Sequence, residues 1–449
     1  MTDTDLEHKL RTRSARITVV GLGYAGLPMA VEFARAGYTC VGLDVDTSRV
    51  EAVCQGRSPV SNVDDSEIAL LRRDGRLDAS SDASVLDSAD VAVICVPTPL
   101  TRNGDPDLRF VETAGAAIAE HLHAGMLVVL QSTCGPGTTT NTLVPLLELV
   151  SNLRDGEDFF VVFAPERIDP GNARFNVKNT PKLVGGTTPE ATRAGCELYR
   201  ACIDEVVPVS SPDVAELAKL VENTFRFINI SFVNEMALLC DRLGVNVWEV
   251  IEAARTKPFA FMPHYPSPGV GGHCIPVVPQ YLQAAAREHG LISELIPAAN
   301  RINDTMPQLI VNKLERALQQ RLGKSLINAR VLLIGITYKP DIADVRESAA
   351  LRVFEAAFAR GARVSYHDPF MPSVRVNDGE LVTSIDLDQE VLTSVDAVVL
   401  LTPHTRIDYG RVIAGARLVV DTHSGLQPRE APNVVNVWLP EALETRVLA

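Results

Sequence analysis

The chain has 449 residues, which suggests two or three domains. Its 42 basic and 56 acidic residues give a formal charge of −14, which argues against nucleic acid or an anionic membrane surface as the main partner, though a local basic cluster can still bind a small phosphate ligand. The N-terminal MTDTDLEHKLRTRSAR lacks the apolar core of a secretory signal, no apolar run reaches the roughly 18 residues of a membrane span, and eight scattered cysteines without a CxxC pair read as reduced thiols, so a cytoplasmic protein without a metal centre is expected.

Residues 16–23, RITVVGLG, form a β-branched run that ends in glycines. A helical stretch from Tyr24 to Ala36 closes on Gly37, and a second strand, TCVGLD, ends at Asp44. Further strands are expected at 90–96, 126–131 and 159–163, an alternation that predicts a parallel sheet covered by helices on both faces. From Asp213 to Leu243 the pattern turns helical: Val214, Leu217, Val221, Ile228, Phe232 and Leu239 recur at helical spacing, Ser211–Pro212 supplies the start and Gly244 the stop. A Pro- and Gly-rich loop runs from Pro258 to Pro279, followed by more helix to Leu322. At Arg330 the β-α-β layout restarts, with strands RVLLIG, ARVSYHD, DAVVLLT and RLVVDT and a helix ESAALRVFEAAFAR closed by Gly361. The expected fold is α/β: two doubly wound Rossmann-like domains, residues 1–210 and 326–449, joined by a long-helix central domain, 211–325.

Gly21-Leu22-Gly23-Tyr24-Ala25-Gly26 is a GxGxxG that follows a strand and opens a helix. Gly21 permits the tight turn, Gly23 lets a pyrophosphate approach the backbone, and Gly26 allows close helix–sheet packing. The helix start presents free N–H groups to the phosphates. Asp44 ends the next strand, where a carboxylate accepts from ribose hydroxyls and repels a 2′-phosphate, which favours NAD over NADP.

Cys274 lies in PGVGGHCIP, residues 268–276. A free cysteine is commonly a buried small hydrophobe. Here flanking glycines such as Gly271 admit a substrate to the backbone, and His273 adds a titratable neighbour. A thiolate there can attack an aldehyde, and the thiohemiacetal can lose a hydride to give a thioester. Lys219 and Asn223 stand at i, i+4 on the long helix, which also carries Asn229, Asn234 and Glu235. The bland reading is a solvated stripe; the functional one is a pair that holds a developing alkoxide. Glu166, in APER, follows a strand end, as helix cap or as a group that moves a proton or positions water.

Together these residues resemble the UDP-glucose/GDP-mannose dehydrogenase family over nearly the whole chain. The likeness is carried by GLGYAGLP (21–28), CVPTPL (95–100), STCGPGTT (132–139), PERIDPG (165–171), AELAKLVENTFRFINISFVNE (215–235), PGVGGHCIP (268–276) and GITYKPDIADVRES (335–348). The resemblance implies an N-terminal NAD domain, a C-terminal domain that helps bind a nucleotide-diphosphate sugar, and a central helix forming the core of a homodimer or higher homo-oligomer. It implies two hydride transfers to two NAD in turn, with a thioester on Cys274. Lys219, Asn223 and Thr133 match residues that handle the reacting oxygens and water, and Glu166 matches a glutamate of thioester hydrolysis. Tyr24, Ala25, Pro97, Thr98, Thr133 and Arg346 fall at cofactor positions, and Arg167, Gly271 and Lys339 at substrate positions. The family usually has an aspartate four residues after the cysteine; this chain has Val278, so Lys219 and Glu166 are expected to suffice at reduced rate. The PERI and GGHCIP forms resemble the branch acting on UDP-N-acetylhexosamines, with UDP- or dTDP-glucose oxidation in secondary metabolism as the alternative. A two-electron hydroxyacid dehydrogenase of the 6-phosphogluconate type has no use for Cys274 or for residues 330–449. A catalytically impaired nucleotide-sugar-binding protein is the reading of another class, motivated by Val278.

Overall fold

The computed structural model describes residues 5–439 except 61, 170, 171, 173, 273 and 424–430. The chain forms two compact units. The first runs to Glu222 and includes Gln280–Leu291; the second takes Asn223–Pro279 and continues from Ile292.

The first unit opens with α1 (Asp5–Thr12), β1 (Arg16–Val20), α2 (Gly26–Arg35) and β2 (Thr39–Leu43). It continues with α3 (Thr47–Cys54), α4 (Asp65–Arg73), β3 (Leu77–Ser80), β4 (Val91–Ile94), α5 (Arg109–Glu120) and β5 (Leu127–Leu130). Then follow α6 (Val144–Ser151), β6 (Phe160–Phe163), β7 (Lys182–Gly186), α7 (Pro189–Arg200), β8 (Val206–Val209) and the start of α8 (Pro212–Leu243). The strands form one sheet in the order β3-β2-β1-β4-β5-β6-β7-β8. All neighbours are parallel except β6 and β7. The order reverses between β1 and β4, the crevice where doubly wound sheets bind ligands. Successive strand residues supply opposite faces: Val91, Val93, Leu127 and Val129 join one core with Phe33 and Tyr199. Ala92, Ile94, Val128 and Leu130 join another with Val111 and Ile118. Burial on both faces explains why these strands read as unbroken apolar runs.

The second unit contains the rest of α8, α9 (Val247–Arg255) and the start of α10 (Val278–Glu288), then α11 (Leu295–Leu322), β9 (Arg330–Ile334), α12 (Ala349–Ala359) and β10 (Arg363–His367). A hairpin of β11 (Ser373–Val376) and β12 (Glu380–Thr383) precedes α13 (Gln389–Ser394), β13 (Ala397–Leu400), α14 (Tyr409–Gly415), β14 (Val419–Asp421) and β15 (Val434–Asn436). Its parallel sheet has the order β10-β9-β13-β14-β15, which again reverses beside the first strand.

The long helix matches its expected limits. The Ser211 hydroxyl accepts the Val214 N–H at 3.4 Å, and Gly244 turns the chain away at φ 72°. The helix expected to continue to Leu322 is two helices, because Gly290, at φ 71°, ends α10 before α11 begins. Strands β3, β7, β8 and β15 and the β11–β12 hairpin were not foreseen. They are short, and each carries a polar, charged, glycine or proline residue that breaks its apolar pattern.

Candidate functional site

On the first sheet, the loops after β1, β4, β5 and β6 share the C-terminal edge. They carry Gly21–Gly26, then Pro97 and Thr98, then Thr133, then Glu166. The glycine loop fits a dinucleotide. Gly21 has φ 100°, and a Cβ there would lie 2.5 Å from the Cys95 carbonyl oxygen. A Cβ on Gly26 would lie 1.8 Å from the Gly21 oxygen, so this position is forced by helix–strand packing. Gly23 has only the Arg49 guanidinium, at 3.9 Å, near its missing Cβ, which leaves its backbone open to close approach. No side chain caps the start of α2, so its N–H groups stay available to a pyrophosphate. Tyr24 and Pro97 are exposed, Ala25 and Thr133 half-buried, and Thr98 buried with its carbonyl held at 2.7 Å by the Tyr281 hydroxyl.

Asp44 is engaged by the backbone around it. Its Oδ2 accepts the Leu22 N–H at 2.6 Å and its Oδ1 the Asp46 N–H at 2.9 Å, and Arg49 stands 3.5 Å away. The carboxylate therefore bolts the glycine loop to the end of β2, and lone-pair directions remain for a sugar hydroxyl.

Glu166 is a fully gripped acceptor. Its Oε1 takes the N–H groups of Arg167 and Ile168 at 2.8 and 2.9 Å. Its Oε2 takes the Gln131 amide at 2.8 Å, with the Lys182 ammonium at 3.5 Å. Arg167 is committed elsewhere: it forks onto Glu222 at 3.2 and 2.7 Å and donates to the Pro181 carbonyl at 2.6 Å. Such a bidentate pair fixes the turn after β6 against α8.

Lys219 is buried, which removes the solvated-stripe reading for it, and its ammonium has no hydrogen-bond or ion-pair partner among the described residues. One turn on, the buried Nδ2 of Asn223 is also without a partner among them. The buried Asn223 donor is costly to leave unmet, and an oxyanion would answer it. Glu216, one turn earlier, was missed in the sequence. It accepts the N–H groups of Gly137 and Thr139 at 2.7 and 2.9 Å and the Thr139 hydroxyl at 2.6 Å, fixing the loop that carries Thr133. Burial pushes its carboxyl above the ordinary value, against the pull of those neutral donors.

The second unit holds Asn223, Gly271, Cys274, Lys339 and Arg346. Cys274 is exposed, whereas six of the other seven cysteines are buried. Its loop is pinned: Asn234 accepts the Ser267 N–H at 2.9 Å, Asn303 the Val270 N–H at 2.6 Å, and the Arg346 carbonyl the Gly272 N–H at 3.0 Å. The Cys274 carbonyl then accepts the Val278 N–H at 3.0 Å and starts α10. The loop glycines have a packing reason beyond substrate approach. A Cβ on Gly271 would lie 2.8 Å from both the Glu347 carbonyl and Tyr338, and one on Gly272 2.6 Å from the Tyr338 ring. Val278 is buried. Arg346 forks onto Asp344, and its pKa is raised by that pairing first, with the Cys274 charge contributing. Lys339 is half-buried in the loop after β9, where its carbonyl accepts the Thr337 hydroxyl at 3.0 Å. His273 lies outside the described residues.

The chain matches three successive descriptions of one family: the NAD binding domain over residues 15–203, the central domain over 213–305 and the UDP binding domain over 332–428. It is 36% identical over 393 residues to a UDP-N-acetyl-D-mannosamine dehydrogenase of Pyrococcus horikoshii, covering 87% of this chain and 89% of the relative. It is 37% identical over 360 residues to a UDP-N-acetyl-D-glucosamine 6-dehydrogenase of Pseudomonas aeruginosa, covering 80% and 84%. The solved structure of a Pyrococcus horikoshii UDP-D-ManNAc dehydrogenase superimposes with a TM-score of 0.84 at 33% identity, covering 94% of this chain and 99% of that one. The open glycine loop, the exposed cysteine and these matches agree: the chain belongs to the UDP-glucose/GDP-mannose dehydrogenase family and is an NAD-dependent nucleotide-sugar 6-dehydrogenase.

Proposed function

We propose that the substrate is a UDP-N-acetylhexosamine, GlcNAc or ManNAc, whose C6 alcohol is oxidised to the carboxylate through a thioester on Cys274. The single observation that carries the covalent step is Cys274 itself, exposed on a loop tied down at three backbone N–H groups. The relatives acting on UDP-GlcNAc and UDP-ManNAc support the sugar. NAD, when bound along Gly21–Gly26 with Pro97, Thr98 and Thr133 beside it, accepts a hydride in each oxidation.

In the first oxidation C6 loses a hydride and its hydroxyl a proton; Lys219 and Asn223 hold the oxygen as negative charge develops. The Cys274 sulfur then adds to the aldehyde carbon, and the resulting thiohemiacetal loses a second hydride and a proton to give the thioester. Water cleaves the carbon–sulfur bond, releasing carboxylate and thiol, with Glu166 aligning the water. Arg167, Gly271 and Lys339 are assigned to the nucleotide sugar and Arg346 to the cofactor side. The division into residues 1–210, 211–325 and 326–449 follows these tasks.

The measurement is NADH formed per sugar consumed with UDP-GlcNAc, UDP-ManNAc, UDP-glucose and dTDP-glucose. Two NADH per sugar with an acetamido donor is expected. Turnover with a glucose donor alone moves the substrate to that sugar, and tight binding without NADH makes this a binding protein. Cys274→Ala should yield no carboxylate product.

We also propose a homodimer built on α8. Val214, Leu217, Val221, Phe225, Phe232, Leu239 and Leu243 are exposed at helical spacing along it. A row of large apolar side chains facing water marks an interface. Phe232→Glu should lower the mass in sedimentation equilibrium to that of one chain; an unchanged mass removes α8 from the interface.

A further inference from the structure

The turn that presents Glu166 rests on a charged network that the reaction scheme leaves unused. Lys182, the first residue of β7, is buried to 4% exposure within the first unit. Its ammonium lies 3.5 Å from Glu166 Oε2 and 5.1 Å above the centre of the Tyr199 ring. Tyr199, fully buried on α7, donates its hydroxyl to Gln131 Oε1 at 2.9 Å, and Gln131 donates to the same Glu166 oxygen at 2.8 Å. The four side chains close a ring: carboxylate, amide, phenol, ammonium and back to carboxylate. Burial pushes the Tyr199 phenol well above its ordinary value, so it enters the ring as a neutral donor.

An ammonium buried in a sheet core is expensive, and an apolar residue would pack at the head of β7 without that penalty. The ring reaches solvent at one place: the Glu166 side chain keeps 19% of its surface against 5% for Lys182. The Tyr199 hydroxyl fixes which way Gln131 points, because an amide whose oxygen accepts must offer its NH₂ on the other side. Without Lys182 and Gln131, Glu166 would be held only through Oε1 by two backbone N–H groups and could swing about that point.

We propose that Lys182, Gln131 and Tyr199 are positioning residues for Glu166, holding its carboxylate in one orientation for the hydrolytic half of the reaction. This rests on the reading of Glu166 in thioester hydrolysis. The three side chains make no hydrogen bond to Lys219 or Thr133 among the described residues, so the two hydride transfers proceed without them. A misdirected carboxylate slows a single step and leaves the acyl group on Cys274.

The test uses the full-length enzyme and the UDP-N-acetylhexosamine it oxidises, with rapid-mixing NADH absorbance and intact-protein mass. Lys182→Met should keep a burst of two NADH per active site and hold the sugar KM within about 3-fold, while the following steady rate falls about 10- to 100-fold. A covalent sugar-nucleotide adduct should then accumulate on the protein. Lys182→Arg should recover most of the rate, and Tyr199→Phe should lose about 3-fold in the steady phase alone. A steady rate for Lys182→Met within about 2-fold of wild type, or a parallel loss of burst and steady phase, overturns the proposal. If that variant does not fold, Tyr199→Phe decides, since it removes one oxygen: an unchanged steady phase overturns the proposal. Glu166→Gln separates the two ideas. If it leaves hydrolysis untouched, the reading of Glu166 itself falls; if it slows hydrolysis while Lys182→Met does not, only the network does.

Discussion

The two sheets make the same turn with the same pair of residues and put it to different ends. In the first unit Gly21 leaves β1 at φ 100° and Asp44, just past β2, accepts the Leu22 N–H at 2.6 Å. In the second, Gly335 leaves β9 at φ 82° and Asp368, just past β10, accepts the Ile336 N–H at 2.7 Å. A Cβ on Gly335 would lie 2.3 Å from the Thr402 carbonyl oxygen, as one on Gly21 would meet Cys95. The difference lies in the helix that follows. The first starts at Gly26 and has no side-chain cap. The second starts at Ala349, where Ser348 accepts the N–H groups of Ala350 and Leu351 and donates to the Ile336 carbonyl at 2.7 Å. One copy of the fold leaves its helix dipole open to a pyrophosphate; the other closes it with the Ser348 side chain.

The sharpest way to break this comparison is a matched pair of substitutions. Gly21→Ala and Gly335→Ala each force a Cβ into backbone at positive φ and should each remove about 3 kcal/mol or more from the unit they sit in. Calorimetric titration should show NAD binding lost in Gly21→Ala and kept in Gly335→Ala, with UDP binding reversed between them. Loss of NAD binding in both would mean the two turns are not independent.

Asp368 differs from Asp44 in having a buried histidine. Burial alone would push Asp368 up, but the hydrogen bond from the His404 ring at 2.9 Å, with the N–H groups of Phe370 and Ile336, outweighs it and holds the carboxyl below its ordinary value. A lowered acid stabilises the fold fully above the unfolded value of about 4 and loses that stabilisation as pH falls through the folded one. Asp368→Ala should therefore lower the urea midpoint at pH 7, by an amount equivalent to about 2–3 kcal/mol, and the gap to wild type should shrink below about pH 4. A gap that is constant with pH would mean that packing, not charge, is what Asp368 supplies.

Ser348→Ala should destabilise the second unit by about 1 kcal/mol and leave NAD affinity unchanged in fluorescence titration. A gain of NAD binding stoichiometry in this variant would show that the cap alone separates the two sheets. The smallest effect is expected from Val278→Asp. The position is buried in the first turn of α10, where helix N–H groups offset part of the desolvation of a carboxylate. Turnover should rise about 2- to 5-fold with a slightly lower melting temperature. Unchanged or slower turnover would show that Lys219 and Glu166 already complete the proton transfers.

Much of this was legible because apolar runs and glycines report directly on backbone geometry. RITVVGLG and RVLLIG are strands followed by a forced turn, and no other residue tolerates Gly21 or Gly335. Periodicity also gave the limits of α8. What could not be read were partnerships between residues far apart in the chain. The spacing of Arg167 and Glu222, or of Glu216 and Thr139, carries no local signature, so the engagement of the Arg167 guanidinium by Glu222 and the Pro181 carbonyl had no trace in the sequence. Lys182 left one trace, a lysine opening an otherwise apolar strand. Its meaning depends on Gln131 and Tyr199, which only folding brings together.

The closed start of α12 bears on timing. With the Ser348 cap in place, the glycine loop after β1 is the one dinucleotide seat found among the described residues. Two oxidations on one seat require reduced cofactor to depart and oxidised cofactor to arrive while the half-finished sugar waits. What counts is then a ratio of lifetimes, that of the sugar on the protein against that of spent cofactor. Under the thioester scheme proposed above, a bond to Cys274 lengthens the first without slowing the second, and so converts a race between two departures into an ordered sequence.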